Sequence, residues 1–200
     1  MLAAPAAGCK QCSENLGRPI CTILELLLRA VLTSSSPDPT IKLYTDSDFD
    51  NCEDTHRSQS RVAILMFGAC LLWKSVRQAV VALSTTEAEY MAQCLGAQDA
   101  LYLVYFLQSL GIQDLYPLDA IILRGDNEGA IKMLKEGSDN TRTKHINRKL
   151  YFLKELVQDE VFAPSHISSQ LNFADGLTKG LAKQLQTISR ARLLGLHHKV

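Results

Sequence analysis

Four carboxylate residues stand where predicted strands end or predicted helices begin. Asp46 and Asp126 each end a strand, whereas Glu89 and Asp175 lie in the first turns of helices. Strand ends and the starts of the following helices converge on one edge of an open α/β sheet, so these acids can meet. Clustered carboxylates repel one another, and Mg²⁺ makes such a group tolerable in its ionised form. Two ions about 4 Å apart would activate a water and stabilise the leaving oxygen in phosphodiester cleavage.

Each acid also has an ordinary structural explanation. Glu89 and its neighbour Glu87 would complement the positive end of a helix dipole, as would Asp175. Asp126 would serve as a helix N-cap, and Asp46 would belong to a turn. The sequence offers no Lys or Arg as an obvious partner for all four acids, and their joint placement favours a shared cation.

The elements that must position these acids follow from the spacing of apolar residues. Predicted strands cover residues 41–45, 62–67, 70–76, 118–124 and 161–163. Predicted helices cover residues 86–110, 130–135, 144–157 and 171–185, and a turn is expected at Gly68-Ala69. The long helix is expected to bury residues that include Tyr102 and to begin with a capping box formed by Thr86 and Glu89. Three strands followed by strands that alternate with helices indicate an α/β domain, with Pro164 making the last strand an edge.

Three regions are predicted along the chain. Residues 1–39 form an N-terminal extension with one amphipathic helix at about 19–32 and a linker that contains Pro37 and Pro39. Residues 40–185 form the α/β domain, and residues 186–200 are a tail.

The composition is that of a globular protein. Hydrophobic residues make up 46% of the chain, and 21 basic residues balance 21 acidic ones, which excludes a strongly basic nucleic-acid binder. The sequence predicts neither a membrane span nor a secretion signal. Cys9 and Cys12 are half of a zinc pattern without a second pair, and the scatter of the six cysteines favours a reducing compartment.

Six motifs in this order resemble the ribonuclease H domain of copia-type (LTR) retrotransposon Pol polyproteins. The match covers about residues 40–182, and its motifs lie at residues 44–48, 73–78, 81–92, 126–131, 142–146 and 172–179. The resemblance implies a ribonuclease H-like fold: a five-stranded mixed sheet, three antiparallel strands and then two crossover strands, flanked by helices. It also implies an endonuclease that cleaves the RNA strand of RNA–DNA hybrids during reverse transcription.

The family's catalytic and metal-binding acids correspond to Asp46, Glu89, Asp126 and Asp175. The resemblance selects Glu89 rather than Glu87, and Asp46 rather than Asp48, and it implies two Mg²⁺ ions, with Mn²⁺ as a possible substitute. The implied partners are an RNA–DNA hybrid and the reverse transcriptase portion of a polyprotein, with no membrane. The implied location is the cytoplasm, within a virus-like particle, or the nucleus.

Hydroxyl, amide and basic residues near the acids are candidates for contacts with nucleic acid, because RNA is distinguished by its 2′-hydroxyl and held by its backbone. They are Ser84, Thr85, Thr86, Asn127, Arg142, Lys144, His145, Arg148 and Lys149. The basic stretch would equally be a solvated helix face. Trp73 would stack on a sugar or belong to the core.

The chain departs from the family pattern at several positions. Phe49 replaces a usual Trp, Arg61 a usual Gly and Asn147 a usual Asp, and His166 is either a loop histidine of the wider superfamily or a plain strand-end residue. Residues 1–40 do not resemble a complete reverse transcriptase. These features favour an alternative, an inactive, decayed or domesticated module that binds nucleic acid or a protein. DNA cleavage or strand transfer by an integrase-like site fits the order of the acids less well.

Overall fold

The computed structural model describes residues 25, 38–50, 52, 54–116, 118–136 and 147–175. Its strands are β1 (Lys42–Asp48), β2 (Gln59–Met66), β3 (Ala69–Arg77), β4 (Ile121–Gly125) and β5 (Phe162–His166). Its longer helices are α1 (Thr85–Ser109), α2 (Glu128–Glu136) and α3 (Asn147–Gln158).

The five strands form one mixed sheet in the order β3-β2-β1-β4-β5. β1, β2 and β3 pair antiparallel, whereas β4 pairs parallel with both β1 and β5. This is the predicted five-stranded ribonuclease H-like architecture, and β5, which contains Pro164, lies at an edge as predicted. The parallel pairing of β1 with β4 directs their carboxyl ends to the same side of the sheet.

β1 extends three residues beyond its predicted end, through Asp48. The acidic stretch remains in the ladder because β2 pairs with it to the end, placing Arg61 opposite Asp46 and Gln59 opposite Asp48. The β2–β3 turn lies at Phe67 and Gly68 rather than at Gly68-Ala69. Both residues have positive φ angles, 54° and 75°, which suit the twist of a tight hairpin.

Helix α1 packs on one face of the sheet and forms the main core. Its buried residues include Ala97, Leu103 and Leu107, which join apolar side chains of the central strands. Tyr102 was expected on this buried face, but it is 54% exposed because its place in the helical repeat falls outside the face that packs on the sheet. Gly96 lies where α1 approaches β1, and a Cβ there would lie 2.9 Å from Leu43 Cδ1.

We expect Gly96→Leu to lower the free energy of unfolding by about 2 kcal/mol, because its side chain must displace packed atoms of β1. Urea unfolding followed by circular dichroism measures the change. Gln98→Leu, an exposed position on the same helix, is the matched control and is expected to change stability little. Equal effects of the two substitutions would contradict this close approach of helix and strand.

The first turn of α1 is capped two residues earlier than predicted, at Ser84 rather than at Thr86. Ser84 Oγ accepts a hydrogen bond from Glu87 N at 3.1 Å, and Glu87 Oε2 accepts one from Leu83 N at 2.8 Å. The predicted Thr86–Glu89 box is therefore wrong. The pairs Ser84–Glu87 and Thr86–Glu89 both have the spacing of a capping box. The chain uses the first pair, so the Glu89 side chain does not serve in the cap.

The opposite face of the sheet is covered by a smaller cluster that includes the segment before Asp175. Phe173 meets Tyr44 of β1 edge-on, with ring centroids 4.8 Å apart. Asn172 Nδ2 donates to Thr45 O at 2.9 Å. Trp73 packs against this cluster, in agreement with the core alternative for that residue.

Several predicted features lie outside the described residues: the amphipathic helix at about 19–32, the tail 186–200, and the last helix beyond residue 175. Where that helix was predicted to begin, the described residues instead form a 3-10 turn at Ser169–Leu171 and a further turn before Asp175. No helix in the described part combines the length and apolar character that crossing a membrane requires.

Candidate active site

Three acids from separate parts of the chain meet at the carboxyl edge of β1 and β4. One carboxylate oxygen from each of Asp46, Glu89 and Asp126 lies within 4.8 Å of the others. Asp46 and Glu89 are buried, and Asp126 is partly exposed. Carboxylates this close repel one another when they are ionised, and one hard divalent cation can bridge them.

The fold places each of these acids through local contacts. Asp46 lies in β1, and Asp126 directly follows β4, the parallel neighbour of β1. Glu89 reaches them from the second turn of α1, where Ser47 N donates to its Oε1 at 3.0 Å. Ser169 Oγ donates to Asp126 Oδ2 at 2.7 Å, which fixes the third carboxylate from the segment after β5.

Asp175, the fourth predicted acid, lies beside this group and is not one of the carboxylates that lie within 4.8 Å of one another. Its Oδ1 is 3.6 Å from Arg61 Nη1, the nitrogen that also contacts Asp46, and its side chain is 23% exposed. Asn172 anchors its segment to β1, and Asp175 N donates to Asn172 O at 3.2 Å. Asn172 is thus a positioning residue that the sequence did not single out.

Arg61 is a cation inside the acid cluster, and sequence reasoning missed its role. Its Nη1 donates to Asp46 Oδ2 at 2.6 Å and its Nη2 to Asp48 Oδ2 at 2.8 Å. The Arg61 side chain is only 2% exposed. The sequence offered no obvious basic partner for all four acids, and the structure shows Arg61 as the partner of two of them, Asp46 and Asp175. Cross-strand register puts Arg61 opposite Asp46, and that register is not visible in a sequence.

The burial of the acids changes their proton affinity. Burial, and then the charges of Asp46 and Asp126, raise the pKa of Glu89 from 4.5 to about 8. Burial also raises the pKa of Asp46, and it outweighs the opposing charge and hydrogen bond of Arg61. Buried carboxylates with raised pKa values are typical of functional sites, where a bound cation supplies the missing compensation.

Gln78 is a second positioning residue that sequence reasoning missed. Its buried Nε2 donates to Ser60 Oγ at 2.9 Å and to Ala88 O at 2.8 Å. These bonds join β2 to the first turn of α1, directly beside Glu89. A glutamine at the end of a strand gives no signal of this role unless the partners are known.

The hydroxyl candidates lie at the same edge as the acids. Ser84 caps α1. Thr86 lies next to Gly129, because its Oγ1 would be 3.4 Å from a Cβ added to that glycine. Thr85 is exposed. Asn127 Oδ1 accepts from Ala130 N at 2.9 Å, so Asn127 rather than Asp126 caps α2.

The basic candidates are only partly described. Arg148 and Lys149 are exposed at the start of α3, and Lys149 O accepts from Tyr90 OH at 3.2 Å. Tyr90 follows Glu89, so this end of α3 is close to the acid-bearing turn. Arg142, Lys144 and His145 lie outside the described residues. His166 ends β5, where its Nε2 is 3.1 Å from Asp126 O.

A divalent cation fits the residues present. Glu89 Oε2 is buried and makes no hydrogen bond within the described part of the chain. Asp46 and Asp126 supply further oxygens within 4.8 Å. Oxygen donors of this kind suit Mg²⁺ or Mn²⁺, and they do not suit the softer metals that thiolates select.

The chain has relatives among transposon polyproteins. It is 34% identical over 191 residues to the Retrovirus-related Pol polyprotein from transposon TNT 1-94 of Nicotiana tabacum, with 92% of this chain and 14% of the relative covered. It is 28% identical over 152 residues to the corresponding polyprotein from transposon RE2 of Arabidopsis thaliana, with 76% and 10% covered. The chain therefore spans only a small part of these relatives. No protein-family model matches it.

A solved structure supports the fold. LC11-RNase H1 in complex with an RNA/DNA hybrid superposes with a TM-score of 0.50 at 19% identity, over 74% of this chain and 99% of that one. At this identity the likeness concerns the architecture alone.

Proposed function

Because this chain is homologous to Pol polyproteins of plant retrotransposons and has a ribonuclease H-like fold, we infer that it cleaves the RNA strand of RNA–DNA hybrids. The proposed reaction is divalent-metal-dependent hydrolysis of a phosphodiester, in the course of reverse transcription. The observation that carries the proposal is the convergence of Asp46, Glu89 and Asp126 around a buried carboxylate oxygen that has no hydrogen-bond partner among the described residues.

Asp46, Glu89 and Asp126 would hold a Mg²⁺ or Mn²⁺ ion. In the two-ion arrangement that the family resemblance implies, Asp46 and Asp175 would hold the second ion. A cation bound there would supply positive charge for the negative charge that develops on the attacked phosphate. The chain's own contribution is orientation. Ser47 N fixes Glu89, Ser169 Oγ fixes Asp126, and Asn172 anchors the segment that bears Asp175.

The proposed substrate surface is the edge that carries the hydroxyl residues. Ser84, Thr85, Thr86 and Asn127 lie beside the acids and offer donors and acceptors for the 2′-hydroxyls that distinguish RNA. Arg148 and Lys149 would contact phosphates, together with Arg142, Lys144 and His145. LC11-RNase H1 forms a complex with an RNA/DNA hybrid, which supports the same class of substrate here.

The proposed setting follows from the polyprotein relatives. Within such a polyprotein, the reverse transcriptase portion would be the partner that produces the hybrid. The corresponding location is a cytoplasmic virus-like particle or the nucleus.

A second candidate is a non-catalytic module that binds a hybrid without cutting it. The ion pairs of Arg61 favour it, because a buried guanidinium already neutralises part of the acid cluster. Phe49, at the position of a usual Trp, is 40% exposed and adds no group to the acids.

A cleavage assay separates the two candidates. With Mg²⁺ or Mn²⁺, the purified chain is expected to shorten the labelled RNA of a hybrid and to leave single-stranded RNA and duplex DNA intact. Excess chelator is expected to stop the reaction, since the acids alone supply no cation. Hybrid binding without cleavage in either metal would contradict the nuclease proposal and support the binding module.

A further inference from the structure

Arg61 occupies one half of the acid cluster. Its Nη1 lies between Asp46 Oδ2, at 2.6 Å, and Asp175 Oδ1, at 3.6 Å, while Nη2 binds Asp48. The guanidinium therefore lies between the two carboxylates that a second metal ion would have to bridge. An arginine side chain stays charged under all ordinary conditions, so this positive charge is permanent.

The other half of the cluster has no such cation among the described residues. Asp46, Glu89 and Asp126 lie within 4.8 Å of one another, and Glu89 Oε2 has no hydrogen-bond partner there. Arg61 contacts this group through Asp46. The cluster is thus divided into a part neutralised by the protein and a part that still requires a cation.

Building on the proposed metal-dependent function, we propose that Arg61 serves as an internal cation, so that the folded chain binds one divalent ion and not two. The single ion lies among Asp46, Glu89 and Asp126. A second ion, between Asp46 and Asp175, enters only when the guanidinium leaves. Asp46 is shared between Arg61 and the bound ion, which weakens the affinity for that ion.

The geometry makes spontaneous displacement of Arg61 difficult. The Arg61 side chain is buried, it is held by two carboxylates, and its backbone lies in the middle strand of an antiparallel ladder. Arg61 is therefore a residue that limits the metal content of the site. It is a positioning and charge-balancing residue, and no contact with substrate is required of it.

Mn²⁺ titration of the full chain, with free Mn²⁺ followed by electron paramagnetic resonance, counts the bound ions. We expect one ion for the wild-type chain and two for Arg61→Gly. The first ion should bind the variant about tenfold more tightly, because a cation within about 6 Å shifts an ionic equilibrium by that order. Arg57→Gly removes the same charge from an exposed loop residue and should behave as wild type.

Two bound ions in the wild-type chain would overturn the inference and leave the proposed function intact, as would a single ion with unchanged affinity in Arg61→Gly. Absence of Mn²⁺ binding in every variant would overturn both. Circular dichroism checks folding, because removal of Arg61 leaves acids unpaired in a buried region. Should Arg61→Gly not fold, Arg61→Met removes the same charge while filling the space, and the tenfold gain in affinity for the first ion then decides.

Discussion

Asp126→Asn is expected to lower the rate of RNA cleavage in a hybrid by about 10³-fold while the fold is retained. The substitution removes a negative charge from the edge of the acid group, where it would hold a metal ion. It keeps the shape and the acceptor oxygen that binds Ser169 Oγ. The rate is measured from the initial appearance of short RNA fragments in Mg²⁺, with circular dichroism as the test of folding.

Asp119→Asn provides a matched control for this experiment. Asp119 is an exposed acid that precedes β4, whereas Asp126 follows the same strand at its carboxyl end. The control makes the same chemical change at the other end of the strand, so its cleavage rate should equal that of the wild type. A folded Asp126→Asn chain with an unchanged cleavage rate would show that the acid cluster does not take part in catalysis.

Glu89→Gln is expected to stabilise the metal-free chain, by about 3 kcal/mol more at about pH 8 than at about pH 5. The pKa of Glu89 rises from 4.5 to about 8 in the folded chain, so the native state holds its proton more tightly than the unfolded state. The stability due to this group is therefore complete below about pH 4.5 and is lost as the pH rises to about 8. Glutamine carries no charge and removes this loss.

Urea unfolding in excess chelator at both pH values measures the effect. Glu155→Gln, an exposed acid of α3, makes the same change away from the cluster and should leave the pH dependence as in the wild type. Mg²⁺ should stabilise the wild-type chain and have less effect on Glu89→Gln, because the variant lacks one charged ligand. A variant with the pH dependence of the wild type would show that Glu89 ionises normally in the fold.

Stabilisation by Glu89→Gln together with loss of activity would be the usual signature of a functional site. Buried acids that repel one another reduce the stability of the folded chain, and they are retained where their charge serves binding or chemistry. Here the raised pKa values of Asp46 and Glu89 and the convergence with Asp126 arise from the same geometry.

The sequence predicted the sheet and the long helix well, because both depend on local patterns. Alternation in β1, the apolar run of β2 and the helical spacing of α1 are properties of consecutive residues. The prediction that acids at strand ends would come together also relied on a general property of α/β sheets. It needed no knowledge of which side chains touch.

The contacts within the site could not be predicted in the same way. Arg61 faces Asp46 only because of the register between β1 and β2, which depends on how the intervening loop closes. The predicted cap at Thr86 was wrong because two overlapping residue pairs have the same spacing, and the sequence does not show which pair is used. Gln78 and Asn172 act through bonds to distant backbone atoms, so their roles depend on the tertiary fold.

Anomalous diffraction from crystals of the chain soaked in Mn²⁺ tests directly whether the acid cluster holds a cation. We expect an anomalous peak bounded by the carboxylates of Asp46, Glu89 and Asp126. Ordered Mn²⁺ found elsewhere on the molecule, with no peak among these three side chains, would contradict the proposed site and the nuclease function that depends on it.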